Sequence, residues 1–178
     1  MRRSVRLAIL SSMALSLGAP AALAATVDVH MTLTTPTSPG AAVGSISITD
    51  APGGAKISVR LSGLPAGQHG FHVHQNPSCD PGPVNGVVAP AGGAGGHLDP
   101  DKTGMHMGPM GEGHLGDLPY LTVAPDGTDN ETLVAPRLTD VSLLKGRSLV
   151  IHAGGDNYAD LPKPLGGGGA RIACGVAP

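Results

Sequence analysis

From Thr26 to Thr34 the chain alternates: Val27, Val29, Met31 and Leu33 occupy one set of positions, and Thr26, Asp28, His30 and Thr32 the other. A period of two predicts a strand with one face on a core. Residues 44–50 repeat the pattern, Ala51-Pro52-Gly53-Gly54 reads as a turn, and residues 56–64 return with Ile57, Val59 and Leu61 against Ser58, Arg60 and Ser62. These two segments read as a hairpin. Residues 69–75 and 118–123 form a fourth and a fifth strand. Pro125-Asp126-Gly127 turns into a sixth at 132–135, and 148–153 and 170–176 complete the set. Eight short strands predict an all-β fold, an eight-stranded antiparallel Greek-key barrel or sandwich. Residues 35–40 read as an ordinary connecting loop. The connections over 76–116 and 154–169 are far longer, and such stretches inside a compact domain are usually functional.

Composition supports strands over helices, with 28 glycines, 17 prolines and 2% aromatic residues in 178. The first 24 residues stand apart. Met1-Arg-Arg-Ser-Val-Arg6 is a positive start, residues 7–19 are apolar, and Ala22-Leu23-Ala24 has a small-x-small cleavage pattern. This predicts a secretory signal over 1–24, by the general or the twin-arginine route, followed by one domain over 25–178. The expected location is the periplasm. Removing residues 1–24 takes away Arg2, Arg3 and Arg6 and no acids, so 8 basic residues face 13 acidic ones, a net charge of about −5. An acidic chain without basic runs argues against nucleic acid as a partner, and no segment predicts stable membrane association. Cys79 and Cys174 are the only cysteines. In an exported chain an even pair predicts one disulfide, closing a loop of about a hundred residues worth on the order of 4–5 kcal/mol in the chain-entropy account.

The chemistry is concentrated in histidine. His72, His74, His97, His106 and His114 lie between Gly70 and Asp117, and His152 follows in Val-Ile-His. His72 and His74 are two apart on a predicted strand and project from one face, while Phe71 and Val73 project into the core. Such a pair is a modest sign by itself; the later histidines make it a metal site. His97, His106, His114 and Asp117 offer three imidazoles and a carboxylate, a set suited to four-coordinate structural zinc. His72, His74 and His152, with a fourth nitrogen, suit copper(II) in tetragonal geometry.

The motifs also carry a resemblance. Gly70-Phe-His-Val-His74, Asn76-Pro-Ser-Cys79, Gly95-Gly-His-Leu-Asp-Pro100 and Gly113-His-Leu-Gly-Asp-Leu-Pro119 stand in order. They are followed by Val150-Ile-His152, Gly154-Gly-Asp156 and the run from Lys163-Pro-Leu-Gly to Cys174-Gly175. Across its whole mature length the chain resembles the bacterial exported copper,zinc superoxide dismutases. The resemblance implies one copper held by His72, His74, His97 and His152, and one zinc held by His97, His106, His114 and Asp117, with His97 bridging the two. It implies that Asp156 bonds His72 and His106, that Arg171 binds and guides the superoxide anion, and that Cys79 and Cys174 form the family disulfide. The implied reaction converts superoxide to dioxygen and hydrogen peroxide. Copper cycles between two oxidation states, zinc is structural, and His97 takes part by leaving copper and accepting a proton. With a negative net charge, attraction must come from a local field around copper, to which Arg171 and Lys163 are candidate contributors; superoxide dismutases are themselves a standard example of such steering. The assembly is expected to be a homodimer or a monomer. A non-enzymatic copper-binding or copper-delivery protein on the same fold is the alternative, and it would be expected to lack a copper ligand or the arginine.

Some positions depart from that pattern or stand outside it. His106 and His114 are eight apart where nine is expected, which bears on zinc affinity, and Met110 stands where tyrosine is common. Met105, Met107 and Met110 offer either a thioether site for copper(I) or gap filling. His30 and His69 are expected to be ordinary surface or turn histidines.

Overall fold

The computed structural model describes residues 24–37 and 39–178. The expected signal over 1–24 lies outside them, apart from Ala24. The described residues hold eleven strands and three short 3-10 turns, with no α-helix among them. The strands are β1 (Thr26–Thr34), β2 (Pro39–Ala51), β3 (Gly54–Leu61), β4 (Gly67–His69), β5 (Phe71–His74), β6 (Gly82–Val84), β7 (Val87–Ala89), β8 (Leu121–Val123), β9 (Thr132–Ala135), β10 (Ser148–His152) and β11 (Arg171–Val176). Seven form one antiparallel sheet in the order β5-β10-β11-β1-β2-β3-β9, beside a β4-β8 pair and a β6-β7 hairpin. The sheets curl into a half-barrel around one core.

The period-two pattern is what closes that core. Val27, Val29 and Met31 of β1, Ile46 and Ile48 of β2, and Ile57, Val59 and Leu61 of β3 all point inward. Leu149 and Ile151 of β10 meet Phe71 and Val73 of β5, which are fully buried. Each such side chain contributes about 1.5–3 kcal/mol by leaving water.

The expected fourth strand is not continuous. It breaks at Gly70 into β4, which pairs with β8, and β5, which pairs with β10. The Gly70 N–H donates to Gly154 O, and the His152 N–H donates to Gly70 O, each at 2.8 Å. These bonds turn the backbone between two sheets. The expected fifth strand is ladder-bonded only over β8, while the segment before it bonds to β5, with Val73 N donating to Gly116 O at 2.9 Å. The second strand is longer than its alternation suggests, running from Pro39 across register shifts around Thr32, so the loop after β1 is shorter than expected. Inside the long connection after β5 sits the β6-β7 hairpin, turned at Asn85-Gly86 with φ of 50° and 81°.

Candidate metal centre

β5 and β10 run side by side, with Val150 paired to His72 and Ile151 to Phe71. Because Phe71, Val73, Leu149 and Ile151 are committed to the core, His72, His74 and His152 must face outward. They do not face water. The long connection after β5 folds over them, so that all three are buried. That connection is tied down by a disulfide from Cys79 to Cys174 on β11, with Cα atoms 5.7 Å apart. Ala91, Ala94, Val150 and Cys174 form a small apolar cluster beneath it.

His72, His74, His97 and His152 bring one ring nitrogen each to within 4.8 Å of one another. The hydrogen bonds select which nitrogen. His74 Nδ1 donates to Gly95 O at 2.9 Å and His152 Nδ1 donates to Gly169 O at 3.1 Å. Their Nε2 atoms are left facing each other at 3.4 Å, with lone pairs and no proton to share. His72 bonds Asp156 Oδ2 through Nε2 at 2.7 Å, which leaves its buried Nδ1 without a partner. Burial, then the neighbouring histidines, holds His74 and His152 well below the usual imidazole range. Neutral lone pairs converging in a buried space fit a soft or borderline cation.

The second group is built on Asp117. Its Oδ1 lies 2.9 Å from His97 Nδ1, 3.0 Å from His106 Nδ1 and 3.3 Å from His114 Nδ1. One oxygen cannot accept from three imidazoles with good geometry, and His106 Nδ1 in fact makes no aligned bond. The donor set of three nitrogens and a carboxylate matches a tetrahedral zinc site. Burial alone would raise the Asp117 carboxyl, but the close imidazoles of His106, His114 and His97 hold it far below the carboxylate range. Burial pulls His106 down, but Asp117 and Asp156 together raise it to about 9. Burial, opposed only in part by Asp117, lowers His97 to about 4. The spacing of eight between His106 and His114 still brings both to Asp117, with His114 N donating to Met105 O at 2.9 Å.

Asp156 joins the groups. Its Oδ2 accepts from His72 and its Oδ1 from His106 Nε2 at 2.8 Å, with a third bond from Tyr158 N. Burial works against its ionisation, and these donors overcome it, leaving the carboxyl low. Gly166, in the turn Leu165–Gly167, lies against this carboxylate at φ 70°.

A cavity of about 200 Å³ opens over His74, His97 and His152 and is lined by Arg171 and Leu165. Arg171 donates to Ala91 O, and to Gly95 O at 2.6 Å, the carbonyl that also holds His74. Burial lowers its pKa from the ordinary guanidinium value.

Every histidine expected to bind metal is therefore in one of the two groups, and His97 is in both. His30 is exposed, as expected. His69 is not a surface residue: it is 2% exposed, and its ring lies between the carbonyls of Pro65 and His152. Nor do the methionines fill gaps, since Met105, Met107 and Met110 are all exposed. Lys163 is exposed on the loop before β11. Two supporting residues gave no sequence signal. Asp160 Oδ2 accepts from His106 N at 2.9 Å, and Arg137 donates to Gly113 O and His114 O at 3.0 and 3.1 Å.

Comparison with known proteins follows the same lines. Residues 42–177 match the family model described as copper/zinc superoxide dismutase. The Brucella abortus protein named superoxide dismutase [Cu-Zn] is 54% identical over 155 residues, covering 87% of this chain and 90% of its own length. The solved Cu/Zn superoxide dismutase from Brucella abortus superposes with a TM-score of 0.84 at 52% identity, covering 86% of this chain and all of that one. A monomeric copper, zinc superoxide dismutase from Salmonella enterica gives 0.76 at 50%, with 86% of this chain and all of that one covered. Two histidine groups sharing one ring, on a sheet and loops that match these relatives almost end to end, have one family explanation: the chain belongs to the copper/zinc superoxide dismutases.

Proposed function

We propose that the protein dismutes superoxide to dioxygen and hydrogen peroxide, with His72, His74, His97 and His152 as ligands to copper, and His97, His106, His114 and Asp117 as ligands to zinc. The observation that carries the assignment is the shared histidine: His97 Nδ1 is engaged with Asp117, leaving Nε2 for the other group. When bound, copper supplies one-electron redox chemistry and zinc a fixed positive charge without redox chemistry.

The chain supplies the rest. Arg171 presents a guanidinium fork to the cavity, a shape and charge suited to a small oxyanion. Its position is fixed by the Ala91 and Gly95 carbonyls, so the cation is organised before substrate arrives. The cavity of about 200 Å³ has room for a diatomic anion together with several waters. His97 lines it and is the proton carrier of this proposal. Burial lowers its pKa to about 4, so the ring is neutral near pH 7 and keeps a lone pair for a metal. Asp156 holds His72 and His106 in one tautomer each by accepting from both Nε2 atoms. A delivery protein needs an open, exchangeable site; the full ligand set together with the tethered arginine favours the enzyme.

We also read the chain as exported, with residues 1–24 as signal and the remainder a periplasmic domain. The intact disulfide supports an oxidising compartment. Among the described residues no helix is long and apolar enough to cross a membrane. Of the two expected assemblies, the monomer is supported by the Salmonella enterica relative, whose structure is described as monomeric.

The test is superoxide consumption by protein loaded with copper and zinc, with metal content measured on the same sample. Activity in the wild type that is lost in His97→Ala supports the assignment. A fully loaded chain without activity overturns it.

A further inference from the structure

We propose that Met105, Met107 and Met110 form a surface site for one copper(I) ion, separate from the two histidine groups.

Methionine is ordinarily a core residue. Of the four among the described residues, Met31 follows that rule and is fully buried, whereas Met105, Met107 and Met110 are 48%, 43% and 77% exposed. All three fall in a six-residue stretch of the loop that carries His106 and His114. Exposure alternates along it: His106, between Met105 and Met107, is 1% exposed. The imidazole is turned into the group around Asp117, which leaves the two flanking thioethers on the outer side of the loop. The chain then turns over residues 108–110, where Gly108 and Pro109 are buried and Met110 is not. Gly111 lies so close to Met107 that a Cβ there would meet the Met107 carbonyl oxygen at 2.5 Å and its Cβ at 2.6 Å. Met110, the chain neighbour of Gly111, is thereby returned to the side of Met107. The three thioethers share one outer face.

The backbone beneath them is pinned. Met105 O accepts from His114 N at 2.9 Å, His106 N donates to Asp160 Oδ2 at 2.9 Å, and Met107 N donates to Asp117 Oδ2 at 3.1 Å. A Cβ on Gly108 would lie 2.5 Å from Tyr158 Cγ, so the turn rests directly on that ring. Only the side chains remain free to adjust, and an unbranched methionine with three rotatable bonds can bring its sulfur to an ion. Thioethers are neutral and soft, a set that selects copper(I). Zinc takes imidazole, thiolate and carboxylate, which the same loop offers on its buried side. The loop thus presents nitrogen and oxygen donors inward and sulfur donors to solution.

The test uses protein loaded with copper and zinc, reduced with ascorbate in the absence of oxygen and isotope-labelled at its methionine methyl groups. Copper(I) is then supplied from a chromogenic chelator. The expected result is uptake of one further copper(I) per chain, with the methyl signals of Met105, Met107 and Met110 shifting together and that of Met31 staying in place. Leucine keeps the apolar bulk and removes the sulfur. Partners outside a ligand shell commonly contribute about 10–100-fold in metal affinity, so Met105→Leu, Met107→Leu and Met110→Leu should each weaken uptake at least about tenfold. The triple variant should abolish it while consuming superoxide within about twofold of wild type, as exposed substitutions away from the site do. No further copper(I), or equal uptake by the triple variant, overturns the proposal. Methyl shifts that follow protein concentration and ignore added copper(I) would mark an apolar contact between copies of the chain, and overturn it too. Metal content before the addition tests the histidine assignment on its own, and the methyl shifts report on the thioethers whether or not the histidine groups have filled.

Discussion

Gly166→Ala is the sharpest perturbation this fold offers. Gly166 sits at φ 70°, and a Cβ there would lie 2.0 Å from Asp156 Oδ1, 2.6 Å from its Cγ and 2.8 Å from His106 Nε2. The carboxylate has no direction in which to retreat, because His72, His106 and Tyr158 N all hold it at 2.7–2.8 Å. A left-handed alanine costs about 1–2 kcal/mol, and breaking one hydrogen bond to a charged group about 1.5–3 kcal/mol, so the variant should lose about 3–5 kcal/mol. In a domain of this size that lowers the melting midpoint by on the order of 10 °C. Gly53→Ala is the matched control, with φ 85° and nothing within 4 Å of the added carbon. It should lose only the backbone term, about 1–2 kcal/mol. Melting of the metal-loaded variants, paired with zinc release to a chromogenic chelator, reads both effects. The reasoning is refuted if the two variants melt alike and Gly166→Ala keeps its zinc as well as wild type does.

Three further outcomes follow from the same geometry. Replacing both Cys79 and Cys174 by serine removes a link across a sequence separation of 95 and should lower stability by about 4–5 kcal/mol in chemical denaturation; a loss below 1 kcal/mol would mean the loop is held by its other bonds. Arg171→Ala should lower kcat/KM about 10–100-fold and flatten its dependence on ionic strength, with Arg171→Lys between; metal content must be unchanged for the result to count. Asp129 is buried with Oδ2 unpartnered, and burial, then the charge of Glu131, pushes its carboxyl up to about 6 from 3.8. Between those values the folded chain keeps a proton that the unfolded chain has released, so this contribution is present below pH 3.8 and lost as pH rises through 6. Asp129→Asn should therefore stabilise the protein at pH 7 by on the order of 1–2 kcal/mol and leave it unchanged below about pH 3.5, measured by denaturant titration at both values.

The alternation of Val27, Val29 and Met31, or of Leu149 and Ile151, is a local pattern with one structural solution, and those strands were legible in the sequence. The inward direction of Phe71 and Val73 followed from it, and with it the common face of His72 and His74. The ligand candidates were legible because imidazole and carboxylate are chemically distinctive at any position. The break at Gly70 was not, since it depends on bonds to Gly154 and His152 some eighty residues away. Backbone acceptors such as Gly95 O, Gly169 O and Pro65 O leave no side-chain signature, so the tautomers of His74 and His152 and the burial of His69 could not be read. The β6-β7 hairpin differs from these. Asn85-Gly86 between valines is a strong short-range turn signal, but the strands it joins are only three residues each and lie in a glycine- and proline-rich connection.

Asp156 commits one oxygen to His72 and the other to His106, so neither histidine can reorient without turning the group that holds the other. For the proposed ligand sets this makes occupancy of the two sites a linked equilibrium. Whatever factor zinc lends to copper affinity, copper must lend to zinc affinity, and couplings of this kind amount to about 1–3 kcal/mol. The order in which the metals arrive then changes how the protein fills and leaves the filled state untouched. A chain short of zinc should also be a weak competitor for copper.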